Sequence, residues 1–143
     1  PYVIGDPLLL EQALLVLLDN ALKYSYSGGN VIVRAKAKDE QALLEVSDNG
    51  VGIDAEHLAH LGERFYRVDK ARSREAGGTG LGLSIARSIA INHGGSLSFS
   101  STLGQGTTVT LTLPLAYQTH SDDRKEEEAI QITSLPKQSF YKE

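Results

Sequence analysis

Apolar residues at Leu10, Ala13, Leu14, Leu17, Leu18, Ala21 and Leu22 recur at the three- and four-residue spacing of one helical face. A start signal stands just ahead of them. Asp6 is placed to cap the helix, and Pro7 suits its first position. Leu8, Leu9, Leu15 and Val16 widen the stripe, so this helix is expected to be buried on most sides. Ser27-Gly28-Gly29-Asn30 stops it. A period of two follows, with Val31, Val33, Ala35 and Ala37 alternating with Ile32, Arg34, Lys36 and Lys38, and it predicts a strand. Asp39-Glu40-Gln41 turns the chain into a second strand over about Ala42 to Ser47.

That strand runs into a glycine turn, Asp48-Asn49-Gly50-Val51-Gly52-Ile53, after which Asp54 caps a short helix reaching about Leu61. The pattern dissolves between Arg64 and Gly80. It is helical again from Leu81 to His93, and Gly94-Gly95 makes a good stop. Two strands, about Ser96 to Ser101 and Thr107 to Leu113, are joined through Gly104-Gln105-Gly106, and Pro114 ends the last. Strand pairs alternating with helices predict an α+β two-layer sandwich. A mixed sheet covered on one face by three helices is expected, with a long polar loop left over.

Composition narrows the function classes. The 143 residues carry a net charge of -4, which argues against nucleic acid as the partner. There is no Cys, so disulfides, thiolate zinc sites and thiol nucleophiles are excluded. No apolar run approaches the roughly 18–20 residues of a membrane span, and no basic, apolar leader opens the chain, so no membrane contact by this domain is expected. Residues 117–143 change character, with no Gly and the charge run Asp122-Asp123-Arg124-Lys125-Glu126-Glu127-Glu128. They are read as a disordered tail following a domain of residues 1–116, with a short docking helix near Glu126–Ile132 as the alternative.

Eight of the 14 Gly fall in three clusters, which directs attention to backbone approached closely by a ligand. The middle one, Gly77-Gly78-Thr79-Gly80-Leu81-Gly82, opens a helix. It is either a phosphate cradle at a helix N-terminus or a flexible turn. Its spacing matches neither a P-loop nor a dinucleotide fingerprint. Before it, Arg64, Arg67, Lys70, Arg72 and Arg74 face a single Asp69. That stretch is either a lid for a polyphosphate or a solvated basic loop. Asn20 and Lys23 share a helix face. They offer a hard oxygen for Mg²⁺ and a cation for phosphate, or they are ordinary polarity near a helix end.

Taken together, these segments resemble the ATP-binding catalytic domain of sensor histidine kinases. Its superfamily includes the gyrase, heat-shock chaperone and MutL ATPases. The resemblance covers about residues 3–115. Asp19-Asn20-Ala21-Leu22-Lys23-Tyr24 is similar to the N box, and Asp48-Asn49-Gly50-Val51-Gly52-Ile53 to the first glycine box. Arg64-Phe65-Tyr66-Arg67 is similar to the F box, Gly78-Thr79-Gly80-Leu81-Gly82-Leu83-Ser84-Ile85 to the second glycine box, and Gly104-Gln105-Gly106-Thr107 to the third. Five motifs in order make the resemblance specific.

The resemblance implies roles for the matching positions. Asp48 would accept from the adenine amino group, with Thr107 near the base and Gly50 and Ile53 in the same turn. Asn20 would ligate Mg²⁺, Lys23 would contact phosphate, and Tyr24 would pack near the nucleotide. Gly52, Gly80 and Gly82 would let backbone approach ATP, with Gly78, Thr79, Leu81 and Leu83 in the same stretch. Phe65 would anchor the lid, and Arg67 or Lys70 would reach the phosphates. Val16 departs from the pattern. The family usually has Asn there and the ATPase branch a Glu that activates water, so a hydrolytic reading is disfavoured.

His57, His60, His93 and His120 lack the context of a phosphoacceptor, and His93 is expected to present a favourable charge to a helix C-terminus. The acceptor is therefore expected on dimerisation helices lying before Pro1, with an aspartate of a response regulator as the next station. The implied setting is cytoplasmic, beneath a sensor that can be membrane-anchored. The alternatives are a nucleotide-binding module without transfer activity, an anti-sigma-type serine kinase, and a plain structural α/β domain. The last needs none of the five motifs.

Overall fold

The computed structural model describes residues 2–25, 28–61, 63 and 82–116, together with the backbone of 127–133. Helix α1 spans Pro7–Tyr24 and begins where its cap predicts: the Asp6 carboxylate accepts from the Leu8 and Leu9 N–H groups at 2.9 and 3.4 Å. At the other end Ser25 donates from its backbone to Ala21 and from Oγ to the Leu22 carbonyl. Ala13, Leu17 and Ala21 are buried. The flanking leucines are not: Leu8 is 76% and Leu15 56% exposed, and Leu9 and Leu22 are over a third exposed. The helix thus buries a single stripe. Periodicity reports two apolar faces here, and the domain covers only one of them.

Strands β1 (Asn30–Lys38) and β2 (Gln41–Asp48) form a hairpin with Lys38 registered on Gln41. The two turn residues, Asp39 and Glu40, have φ of 51° and 63°. That is the sign pattern of a two-residue turn whose twist matches the strands. Helix α2 is short, Ala55–Leu58, capped by Asp54. The segment expected to be helical to Leu61 continues instead as tighter turns, with Leu61 bonded to Leu58 and Glu63 to His60.

Helix α3 (Gly82–Asn92) ends in a Schellman motif. Gly95 N–H reaches the Ala90 carbonyl and Gly94 N–H that of Ile91, with Gly94 at φ 77°. Strands β3 (Ser96–Thr102) and β4 (Gly106–Pro114) complete the second hairpin.

The strand order is β3-β4-β2-β1-β5, and every pairing is antiparallel. The sheet is thus more regular than the mixed one the sequence predicts, because it is assembled from hairpins and needs no parallel crossover. One face presents Val31, Val46, Leu97, Val109, Leu111 and Leu113 to α1 and α3, and these residues form the core with Ala13, Leu17, Ala86, Ile89 and Ala90. The opposite face is mostly polar, with Ile32 and Leu43 among its residues: Lys36 pairs with Glu45 at 2.9 Å, and Ser47 bonds Thr108 at 2.8 Å. This is the two-layer arrangement the strand and helix order predicts.

The remaining strand, β5 (Glu127–Thr133), corrects the expectation of a disordered or helical tail there. It pairs with β1 from Lys36↔Glu127 to Asn30↔Thr133. Residues 129–133, Ala-Ile-Gln-Ile-Thr, carry the β-branched alternation of an edge strand, which the charge run beside them obscures. Near the body of the domain, Leu115 N–H bonds Glu40 and Ala116 N–H bonds Tyr2, at 3.1 and 2.7 Å.

His93 ties the two long helices together. Its Nδ1 lies 2.7 Å from the Ile89 carbonyl, and Nε2 accepts the Asp6 N–H at 3.0 Å. A carbonyl can only accept, so Nδ1 donates to it, and both ring nitrogens are used. His93 thus bridges the two helices rather than standing free at the helix end.

Candidate functional site

The site begins at the end of β2, where the chain leaves the sheet. Strand alternation puts Asp48 on the helix-covered face with Val46 and Leu44. Asp48 is registered on Thr107, and Thr107 on Ser101, so a carboxylate and two hydroxyls form one row across three strands. Glycine then bends the chain. Asp48 Oδ1 accepts the Gly50 N–H at 2.9 Å, and the Thr107 backbone N–H also bonds this carboxylate. Burial pushes the Asp48 carboxyl above its ordinary value of 3.8, and those two N–H groups hold the rise in check.

The turn from Asp48 to Ile53 is clamped on three sides. Asn49 and Asn30 exchange two bonds: Asn49 Oδ1 accepts the Asn30 N–H at 2.9 Å, and Asn30 O accepts the Asn49 N–H at 3.3 Å. Val51 N–H bonds the Tyr24 carbonyl at the end of α1, and Gly104 N–H bonds the Val51 carbonyl at 2.7 Å. Ile53 N–H donates to Ser101 Oγ at 2.7 Å.

The glycines make this clamping possible. A side chain on Gly50 would run into the Tyr24 carbonyl, and one on Gly106 into that of Asp48. Gly52 sits at φ 72° against Thr102. These glycines therefore let backbone approach backbone, a packing requirement that stands beside the approach to ATP implied by the resemblance.

Beside the turn lies an open polar depression of about 200 Å³, lined by Asp48, Ser101, Thr102, Gln105, Gly106 and Thr107 among others. Asn20 and Lys23 stand on α1 within its last turn and a half before Tyr24, and both are partly buried. Lys23 Nζ pairs with Asp19 at 2.9 Å. At the start of α3, a Cβ on Gly82 would meet Val16 Cγ1 at 3.3 Å, so Val16 is a packing contact between the helices. Leu83 joins the core periphery.

The structure therefore brings Tyr24, Asp48, Gly50, Gly52, Ile53 and Thr107 into one bonded unit, with Asn20 and Lys23 on the adjoining helix. Phe65, Arg67, Lys70, Gly78, Thr79, Gly80 and Leu81 lie outside the described residues. Sequence reasoning missed Ser101 and the Asn30–Asn49 exchange. Ser101 had a signal, since it stands three residues before the Gly104-Gln105-Gly106 cluster on which the reading stopped. The asparagine pair had none, because it is formed by strand register. Among the described residues no group of three or more His, Asp or Glu side chains could hold a metal.

A family model described as histidine kinase-, DNA gyrase B- and HSP90-like ATPase matches residues 5–117. A sensor histidine kinase of Bacillus subtilis, YkoH, is 50% identical over 107 residues, covering 75% of this chain and 23% of that protein. The sensor-like histidine kinase SenX3 of Mycolicibacterium smegmatis is 42% identical over 128 residues, 87% of this chain and 33% of SenX3. The chain thus spans a third or less of these relatives' lengths. Among solved structures, a mycobacterial sensor histidine kinase, MprB, superposes with a TM-score of 0.71 at 39% identity, covering 78% of this chain and 76% of that one. Full-length ShkA in complex with AMPPNP gives 0.70 at 31% identity, over 82% of this chain and 24% of that one.

Proposed function

The chain belongs to the histidine kinase-, DNA gyrase B- and HSP90-like ATPase family, and from that premise we propose that it binds Mg²⁺·ATP and passes the γ-phosphate to a histidine on dimerisation helices of the same protein. A response regulator then takes the phosphoryl group. The relatives are sensor histidine kinases, and ShkA is known with a triphosphate analogue bound.

The observation that carries the reading is the Asp48 carboxylate. It is partly buried, fixed by Gly50 and Thr107 N–H groups, and set in the wall of a polar depression. A fixed anion with free acceptor capacity suits an exocyclic amino group, which gives the base its identity. Tyr24 and the glycine turn would flank the nucleotide. On α1, Lys23 would exchange Asp19 for phosphate oxygens, a small cost for a surface ion pair.

Mg²⁺ fits a donor set of one carboxamide oxygen, Asn20, completed by phosphate oxygens and water, since this ion retains several waters and takes few protein ligands. When bound it neutralises charge on the transferring phosphoryl group. Val16 packs on Gly82 and supplies no ligand and no base toward water. Transfer then rests on positioning and charge stabilisation by this chain. Phe65, Arg67, Lys70 and the Gly78–Leu83 stretch would close over the nucleotide. The catalytic domain is taken as residues 1–116, with the charged segment of 117–143 carrying β5.

No helix among the described residues is long and apolar enough to cross a membrane. Placement in the cytoplasm beneath a sensor is part of the proposal.

The test mixes the protein with a separately made dimerisation helix pair bearing a histidine and γ-labelled ATP. Acid-labile label on the helix pair is the expected result. ATP binding without label would leave only a nucleotide-binding module. Absence of binding at millimolar ATP would overturn the site itself.

A further inference from the structure

The row Asp48–Thr107–Ser101 contains a proton count that fixes which way the Thr107 hydroxyl points. A serine hydroxyl has one proton and two lone pairs. Ser101 Oγ lies 2.8 Å from the Gly106 carbonyl, 2.7 Å from the Ile53 nitrogen and 2.8 Å from Thr107 Oγ1. The carbonyl can only accept, so it takes the single Ser101 proton. The Ile53 N–H can only donate, so it fills one lone pair. The remaining contact is then the Thr107 hydroxyl donating to the second lone pair. Ser101 is saturated, and the Thr107 proton is spent on it.

The consequence is felt in the depression. Thr107 is buried to 7% exposure and lines it beside Asp48. With its proton committed to Ser101, Thr107 Oγ1 has only lone pairs to offer. The Asp48 carboxylate beside it also only accepts. Asp48 and Thr107 therefore stand side by side as a pair of acceptors in this wall of the groove, which match a purine 6-amino group and repel a 6-oxo group.

We infer that Ser101 is a positioning residue for base specificity: by accepting the Thr107 proton it holds that hydroxyl as an acceptor, so that the site takes a 6-amino purine and rejects a 6-oxo purine. The inference rests on the ATP-binding reading above and adds the residue that sets the polarity of its base-reading end. Without Ser101 the Thr107 hydroxyl is free to turn and donate to O6, while Asp48 is untouched.

The experiment compares ATP with inosine triphosphate, which carries a 6-oxo group and an N1–H in place of the 6-amino group and bare N1, by calorimetry on the full chain. Wild type is expected to prefer ATP. Ser101→Ala is expected to shrink that preference roughly tenfold, by weakening ATP and strengthening inosine triphosphate, the size of one hydrogen bond changing sign. Ser101→Thr keeps the hydroxyl and is expected to restore the wild-type ratio. A merely structural role would weaken both nucleotides together and leave the ratio alone.

Should Ser101→Ala not fold, Ser101→Cys replaces it. Its thiol is a poor acceptor, so the ratio is expected to fall there too. An unchanged ratio in the folded variant overturns the role of Ser101 and leaves the adenine pocket standing. A wild-type protein that binds both nucleotides equally overturns the pocket assignment together with it.

Discussion

Replacing Asp48 with Asn separates two effects of one carboxylate. In the ligand-free fold the charge is unfavourable, because burial raises the Asp48 pKa above 3.8 despite the N–H groups of Gly50 and Thr107. A carboxyl whose folded value lies above its unfolded value binds more protons in the native state between those two values. Stability then falls as pH rises through that window, and the full cost is present above it. Asn carries no charge, and its Oδ1 accepts the same Gly50 N–H, bonded at 2.9 Å in the native protein.

Asp48→Asn is therefore expected to raise the urea midpoint at pH 7, an advantage that disappears as pH falls below 3.8. Nucleotide binding moves the opposite way. A hydrogen bond to a charged acceptor is worth about 1.5–3 kcal/mol and a neutral one about 0.5–1.5, so about 1–2 kcal/mol is lost. That corresponds to roughly 5–30-fold weaker ATP binding. Chemical denaturation at the two pH values and titration calorimetry at pH 7 read the pair. A variant less stable than wild type at pH 7, or one that binds ATP with unaltered affinity, would refute the reasoning.

Other substitutions test other parts. Leu17, at 1% exposure, anchors α1 in the core. Leu17→Ala is expected to cost about 2–5 kcal/mol in urea unfolding. Asp39→Asn with Glu40→Gly suits the two positive φ values of the first hairpin and is expected to add about 1 kcal/mol, read as a higher melting temperature. Lys23→Gln removes an ion pair with Asp19 and is expected to change stability by under about 0.5 kcal/mol. It should weaken ATP binding and flatten its dependence on salt, whereas unchanged salt dependence would deny Lys23 a phosphate. Ending the chain after Ala116 removes β5 and bares the outer edge of β1. Sedimentation is expected to show more self-association than the full chain.

Local chemistry made much of the fold legible. Asp6 and Pro7 mark the start of α1, Gly94-Gly95 the end of α3, and the alternation around Val31 and Val109 the faces of β1 and β4. Glycine spacing pointed to the turn at Asp48. Other features depend on partners distant in sequence. Leu8 and Leu15 look as apolar as Leu17, and only the packed sheet decides which of them is covered. The strand at Glu127–Thr133 requires β1, some 95 positions earlier, and its flanking charges mask the pattern. Ser101 is one serine among several in β3 until register sets it beside Thr107 and Ile53.

The amino-terminal residues are fastened to the body at two points. The Tyr2 carbonyl holds Ala116, and the backbone at Asp6 holds His93. Residues 2–6 therefore move only with the two ends they are pinned to, and freeing them would first break both fastenings.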